Sequence, residues 1–89
     1  MKQLQREYEE LKEILQQIVI ASRLLGHEIA FSAENSVSVI TKETVLTIII
    51  AMRTNDIAFS IGYMDTVKNL NKSSHEEKVS TLKDVLESL

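Results

Sequence analysis

Residues 45–64, VLTIIIAMRTNDIAFSIGYM, decide the fold of this chain. The first part, Val45–Met52, is apolar on both sides of an extended chain, which is typical of a strand at the centre of a sheet. The last part alternates large with small side chains from Ile57 to Met64, as a strand with one buried face does. Asn55 and Asp56 between the two runs favour a turn. The stretch therefore predicts two neighbouring strands of a β-sheet.

A helix is the competing interpretation of residues 42–53, because Thr41 could cap it and the length suits a helix as well as a strand. Five of the six residues from 45 to 50 are β-branched. Branching at Cβ restricts a side chain in a helix and packs well on a pleated sheet. Composition thus favours the strand, although the sequence alone leaves both structures open.

The residues before this pair of strands extend the sheet. Ile29, Phe31 and Ala33 alternate with smaller side chains, so we expect these three on one face of a strand. A turn at residues 35–36 leads to a further strand of the same alternating character. Residues 27–65 therefore predict an antiparallel meander of three or four strands, with the bulky side chains packed under a helix layer.

The N-terminal residues 1–26 predict a long amphipathic helix that Gly26 ends. Apolar side chains recur every seven residues on one stripe, namely Leu4, Leu11, Ile18 and Leu25. At about 1.5 Å per residue, residues 2–25 make a rod of roughly 36 Å. Strands of seven or eight residues reach only about 25 Å. We therefore expect about two turns of helix to overhang the sheet that it covers.

The predicted overhang carries Leu4, Tyr8 and Leu11, which water solvates poorly, so we expect these side chains to bind a partner chain. Ile20 and Leu24 form an i,i+4 pair on the opposite side of the same helix. A partner helix or another segment of the same chain could cover that pair, and the sequence leaves both open. The predicted partner-binding residues are Leu4, Tyr8, Leu11, Ile20 and Leu24.

Residues 74–89 predict a second helix. Ser74 and Glu77 have the spacing of a capping box, and a narrow apolar stripe follows at Val79, Leu82, Leu86 and Leu89. Residues 66–73 are mostly polar and predict a connector. The three lysines of this region, Lys68, Lys72 and Lys78, are expected to be solvated rather than to form a phosphate-binding track.

The order of elements predicts an α+β fold for one domain, residues 1–89: a long N-terminal helix, an antiparallel meander and a C-terminal helix, packed as a two-layer α/β sandwich. The sheet face away from the helices carries Ile49 and Val45 among mostly small residues, namely Ala30, Ser32, Ser36, Ser38, Thr47, Ala51, Ala58, Ser60 and Gly62. Small side chains permit the close approach of another layer, which favours an interface. A solvated surface of Ser, Thr and Ala remains the alternative.

Composition and charge limit the kinds of stabilising group and binding partner that this chain can have. The chain has 89 residues, with 44% hydrophobic and 26% charged, and no cysteine. A domain this small gains stability from disulfides, metals or oligomerisation. Disulfides are excluded, and His27 and His75 stand apart without a cluster of ligands, so we predict no metal or cofactor and expect a homodimer or larger homo-oligomer. A net charge of −3 favours neither nucleic acid nor an anionic membrane. The N-terminus is unlike a secretory signal, so we expect a cytoplasmic protein.

No enzymatic motif is evident, because the chain has two glycines and no cysteine nucleophile. We therefore expect no enzyme and no catalytic residue. The leading hypothesis is a small acidic, self-associating protein-interaction module that binds an unidentified protein as a regulator, an inhibitor or immunity factor, or a chaperone subunit. The alternative is a small-molecule-binding or enzymatic domain at a subunit interface, where His27, Glu28, Tyr63 and Asp65 at the strand ends could converge.

Overall fold

The computed structural model describes residues 2–89 and has an α+β fold. Its elements in chain order are α1 (Lys2–Leu24), β1 (Glu28–Ala33), β2 (Ser36–Ile40), β3 (Val45–Met52), β4 (Ile57–Tyr63), β5 (Thr66–Asn69) and α2 (His75–Ser88). The strands form one sheet in the order β1-β2-β3-β4-β5, and every neighbouring pair is antiparallel. The predicted fold class is confirmed, with one strand more than the upper end of the prediction.

The segment that could have been a helix is the central strand of this sheet. Strand β3 pairs with β2 on one side and with β4 on the other, so that Ile48 lies between Val37 and Ile61. These three side chains are buried on the helix-covered side of the sheet. The strand interpretation of residues 42–53 is confirmed, because a strand in this place buries the β-branched residues against a helix layer.

The connector predicted over residues 66–73 is wrong in its first half, which forms strand β5. Its pairing with β4 runs on beyond Asn69, where Leu70 N donates to Phe59 O at 2.8 Å. Asn71 Oδ1 then accepts from Phe59 N at 2.7 Å. A polar edge strand lacks the apolar alternation that reveals a buried strand, which is why the composition did not show it. Leu70 anchors the end of this segment in the core.

Helix α1 ends where Gly26 adopts a left-handed backbone with φ +80°. Glycine reaches this conformation without the strain that a Cβ would bring. His27 N then donates to Ser22 O at 2.9 Å, which satisfies a carbonyl of the last turn. The predicted stop at Gly26 is therefore confirmed, and the chain enters the sheet directly after it.

Both helices lie on the same face of the sheet and enclose one core. From α1 the core takes one stripe of side chains, Leu11, Ile14, Leu15, Ile18 and Val19. From the sheet it takes Val37, Val39, Leu46, Ile48, Ile50, Ile57, Phe59 and Ile61, and from α2 it takes Leu82 and Val85. The other face of the sheet has no helix on it within residues 2–89.

The expectation of an exposed overhang on α1 is wrong. Leu11 is 0% exposed, and Leu4 and Tyr8 pack against the core as partly buried side chains. A second helix covers α1 in addition to the sheet. Helix α2 lies beside α1 and joins it through Glu10 Oε1, 2.6 Å from His75 Nε2. The chain therefore shelters the first three predicted partner-binding residues within its own fold.

Helix α2 begins at the predicted capping box, where the Ser74 hydroxyl accepts from Glu77 N at 3.1 Å. The expectation that Lys78 is solvated is wrong. Its side chain is buried, and Nζ donates to Ile57 O at 3.0 Å. Burial disfavours the charged ammonium group and lowers the pKa of Lys78 below its ordinary value.

Replacing Leu11 by alanine tests the corrected position of the N-terminal turns. We expect Leu11→Ala to lower the free energy of unfolding by about 2–5 kcal/mol, because it leaves a cavity in a closed core. Leu24→Ala is the matched control, since Leu24 is 84% exposed, and should change stability by less than about 0.5 kcal/mol. Urea denaturation followed by circular dichroism measures both. Equal, small effects would place Leu11 at the surface.

Candidate protein-interaction surface

A β-bulge in β1 determines which side chains reach the uncovered face of the sheet. Ile29 lies opposite Val39 in β2, but Phe31 lies opposite Ser38, so that the register shifts by one residue at Ala30. An extra residue in one strand reverses the facing of every residue after it. Phe31 therefore points away from the helices, and the prediction that it shares a face with Ile29 is wrong. The same shift turns Ser32 towards the helix side.

Two rows of side chains cross this uncovered surface, which we call the open sheet face. The Thr47 row consists of residues paired directly across all five strands, Phe31, Ser38, Thr47, Gly62 and Val67. The Ile49 row runs beside it and consists of Ala33, Ser36, Ile49, Ser60 and Asn69. The predicted surface of small residues is thus present, with two large residues added at the ends of the Thr47 row. The prediction is wrong for Ser32, which pairs with the buried Val37 and so belongs to the other face.

Large apolar side chains on the open sheet face are exposed to solvent. Phe31 is 57% exposed, Ile49 48% and Val67 76%. Among the strand residues of this face in the described chain, Glu28 at one corner is the only charged side chain. A sheet surface that faces water ordinarily carries charged residues, and exposed apolar patches mark interaction sites. Nothing within residues 2–89 covers these side chains.

Polar groups on the same face are partly satisfied within the sheet itself. The hydroxyl oxygens of Ser38 and Thr47 lie 3.1 Å apart across β2 and β3 and share a hydrogen bond. Such a pair loses less free energy on burial than two unpaired hydroxyls would lose. Another protein layer can therefore cover the centre of the Thr47 row with little loss of free energy from these two hydroxyls.

Gly62 lies in the Thr47 row, and its backbone conformation does not require glycine. Its φ is not in the left-handed region that favours glycine, because Gly26 is the one glycine with positive φ among the described residues. A Cβ at position 62 would meet Val67 Cγ2 at 3.5 Å, Thr66 O at 3.7 Å and Thr47 O at 3.9 Å, all ordinary contacts. Glycine inside a strand weakens it and often marks a place where another backbone or ligand approaches closely. Gly62 is thus consistent with a covered surface.

The remaining predicted partner-binding residues, Ile20 and Leu24, are exposed beside Leu25 near the end of α1. The interpretation in which another segment of the chain covers them is wrong. Ile20 also borders a groove of about 740 Å³ between α1 and β1. That groove is polar: Lys12 contacts both Glu9 and Glu34, and hydrogen bonding to Glu34 is the main cause that raises the pKa of Lys12.

The residues of the alternative site converge only in part. His27 and Tyr63 line one cavity of about 400 Å³, but Glu28 and Asp65 are not among its lining residues. His27 Nε2 lies 3.2 Å from Leu89 O, so one ring nitrogen is already engaged. Within residues 2–89 no three side chains of His, Asp or Glu are grouped in a way that could hold a metal ion. Neither helix has the length and apolar character needed to cross a bilayer, as far as the described residues go.

Comparison of the chain with protein-family models, with curated proteins and with solved structures finds no match in any of the three. The chemistry of its own surface is therefore the basis for a functional proposal.

The sequence pattern indicated the small residues of the open sheet face but not Phe31 or Val67. Regular alternation from Ile29 predicts Phe31 in the core, and Ala30 gives no sign of the bulge that turns Phe31 away from it. Val67 lay in the supposed connector. Bulges are frequent in edge strands, and β1 lies at an edge of the sheet, so the place of this strand in the sheet accounts for the bulge and its composition does not.

Two phenylalanines in strands provide a test of this facing. Phe59 is 1% exposed, and we expect Phe59→Ala to lower the free energy of unfolding by about 3–5 kcal/mol. Phe31→Ala should lower it by about 1 kcal/mol or less, since its ring lies on the open sheet face. Chemical denaturation at low protein concentration measures both. If Phe31→Ala lowered the free energy of unfolding as much as Phe59→Ala, the Phe31 ring would have to lie in the core.

Proposed function

We propose that this chain is a small acidic protein-interaction module that binds another protein chain through the open sheet face. The observation that carries the proposal is the exposure of Phe31, Ile49 and Val67 on a sheet surface whose one charged strand residue, within the described chain, is Glu28 at a corner. Exposed apolar side chains rimmed by polar ones are a feature of protein-binding surfaces.

The chemistry of this surface favours a protein over other ligands. A nucleic acid would require Lys or Arg side chains facing the bound backbone, and the strand residues on the open sheet face among residues 2–89 include neither. A small molecule would require a concave pocket, whereas the open sheet face contributes only Ala33, at its edge, to the pockets described above. A flat, uncharged surface with a few large side chains suits another flat protein surface.

The biological roles that fit this mode of action require binding and no reaction. A regulator, an inhibitor or immunity factor, and a chaperone subunit each act by covering a surface of a partner. The net charge of −3 makes acidic surfaces repel one another, so that association is favoured at the open sheet face, which has a single charged strand residue within residues 2–89. Ile20 and Leu24 form a second exposed apolar area on α1 and are proposed as a subsidiary contact.

Site-specific photo-crosslinking tests the proposed surface. A benzophenone amino acid replaces Phe31 in one variant and Lys83, an exposed residue of α2, in the control. Each purified variant is irradiated in an extract of the source organism, and adducts are separated by size and identified by mass spectrometry. We expect protein adducts at position 31 in clear excess over position 83, because only position 31 lies at the interface.

Two results would count against the proposal. Equal adduct formation at both positions would show random collision and no defined surface. The absence of adducts at position 31, in an extract where a benzophenone at Ile20 does form them, would move the binding surface to α1.

A further inference from the structure

We infer that a second copy of this chain binds the open sheet face, so that the two sheets stack face to face. A two-fold axis relates the two copies. It runs perpendicular to the strands and passes between the Thr47 row and the Ile49 row. This inference rests on the proposed function and names the partner of the same surface. The result is a four-layer assembly of helices, sheet, sheet and helices, in which two sheets pack as they do in β-sandwiches.

Under this two-fold symmetry, the large side chains of one open sheet face lie over small side chains of the other. The Thr47 row has its large side chains at the two ends, Phe31 and Val67, and small ones between them. The Ile49 row has its large side chain in the middle. An axis between the rows places the Thr47 row of one copy over the Ile49 row of the other, strand over equivalent strand. Each Ile49 then lies over Thr47 of the partner copy, beside Gly62.

The same superposition matches large with small residues at the edge of the sheet. Phe31 of one copy lies over Ala33 of the other, because both belong to β1 and to adjacent rows. A two-fold axis along the strands would instead stack Ile49 on Ile49. Interdigitation of large and small side chains gives the packing density of protein interiors, and two opposed large side chains do not.

Electrostatics also permits a second copy on this face. Two molecules of net charge −3 repel each other, so that like copies associate most readily where charge is lacking. The strand residues of the open sheet face carry one carboxylate, Glu28, within the part of the chain that the structure describes. Glu28 lies at a corner, where its carboxylate can stay in water when the centre is covered.

The area of the face is at the lower limit for a dimer. The five strands have 6, 5, 8, 7 and 4 residues, and at a rise of about 3.3 Å per residue and a strand spacing of about 4.8 Å they make a surface of roughly 480 Å². Two such faces together remove on the order of 1,000 Å² from water, which is the size of a weak specific interface. An assembly of weak to moderate affinity is expected, and the subsidiary apolar area at Ile20 and Leu24 remains free on the outside.

Sedimentation equilibrium of the purified chain tests the occupant. We expect the wild type to sediment at twice the mass of one chain at about 50 µM. Ile49→Ala removes the central side chain twice per dimer, and Gly62→Val fills the space that receives it. Each change should raise the dissociation constant by at least about 100-fold. Lys83→Ala on α2 is the control and should leave it unchanged.

Mixing the two variants tests the proposed register. In the mixed pair, Ile49 of the Gly62→Val chain meets an intact Gly62, and the new valine faces the alanine at position 49. The mixture should therefore dimerise to within about tenfold of the wild-type affinity. A mixture that stays monomeric, with both variants folded, overturns the register. Circular dichroism and the thermal midpoint check folding, and Gly62→Ala, whose Cβ has ordinary contacts, serves if Gly62→Val unfolds.

The outcomes separate this inference from the proposed function. A monomeric wild type whose position 31 still cross-links to a different protein overturns the second copy as occupant and retains the binding surface. A monomeric wild type without adducts overturns both. A dimer that survives Ile49→Ala and Gly62→Val but dissociates on replacing Ile20 and Leu24 together by glutamine places self-association on α1 and overturns the inference.

Discussion

The packing of α1 and α2 against the large side chains of β2, β3 and β4 is the interaction on which the rest of the structure depends. One stripe of α1 and two residues of α2 enclose a sheet surface rich in Ile and Val, and burial of that apolar area is the main term that stabilises so small a domain. Both helices lie on one side, so the sheet has two unlike faces. The open sheet face exists because the chain has no third layer within residues 2–89.

Elements with strong periodicity could be predicted from the sequence, because their pattern reports burial directly. The stripe of α1 as far as Ile18, the apolar run of β3 and the alternation of β4 each face the core in the expected way. The prediction is wrong for Leu25, the last member of the stripe, which lies beyond the end of α1 and is 58% exposed. The capping box at Ser74 and the stop at Gly26 were equally evident, because both follow from local backbone chemistry.

The features that the sequence did not predict depend on contacts between segments that are distant along the chain. Leu11 is buried in a core to which α2 also contributes, and the lengths of the elements do not reveal how the two helices pack. The facing of Phe31 depends on one extra residue in β1, whose presence is decided by pairing with β2. Strand β5 is held by hydrogen bonds to Phe59 and not by burial of its own side chains. Periodicity carries no information on any of these three.

The bulge in β1 connects the stability of the edge with the chemistry of the open sheet face. Unpaired edge strands invite pairing with other chains, and proteins discourage this with bulges, short strands and lysine. Strand β1 is bulged, and Gln16 Nε2 donates to the carbonyl oxygens of Ala33 and Glu34 at its end. Strand β5 has four residues and contains Lys68.

Both edges of the sheet are thus protected, whereas the open sheet face has no comparable protection. The same bulge that disturbs the edge places the Phe31 ring on that face. Gly62, a residue that weakens a strand, lies beside Thr47 although its backbone conformation does not require glycine. Protected edges and an uncovered apolar face together support the proposed association through side chains across the face over an association that extends the sheet.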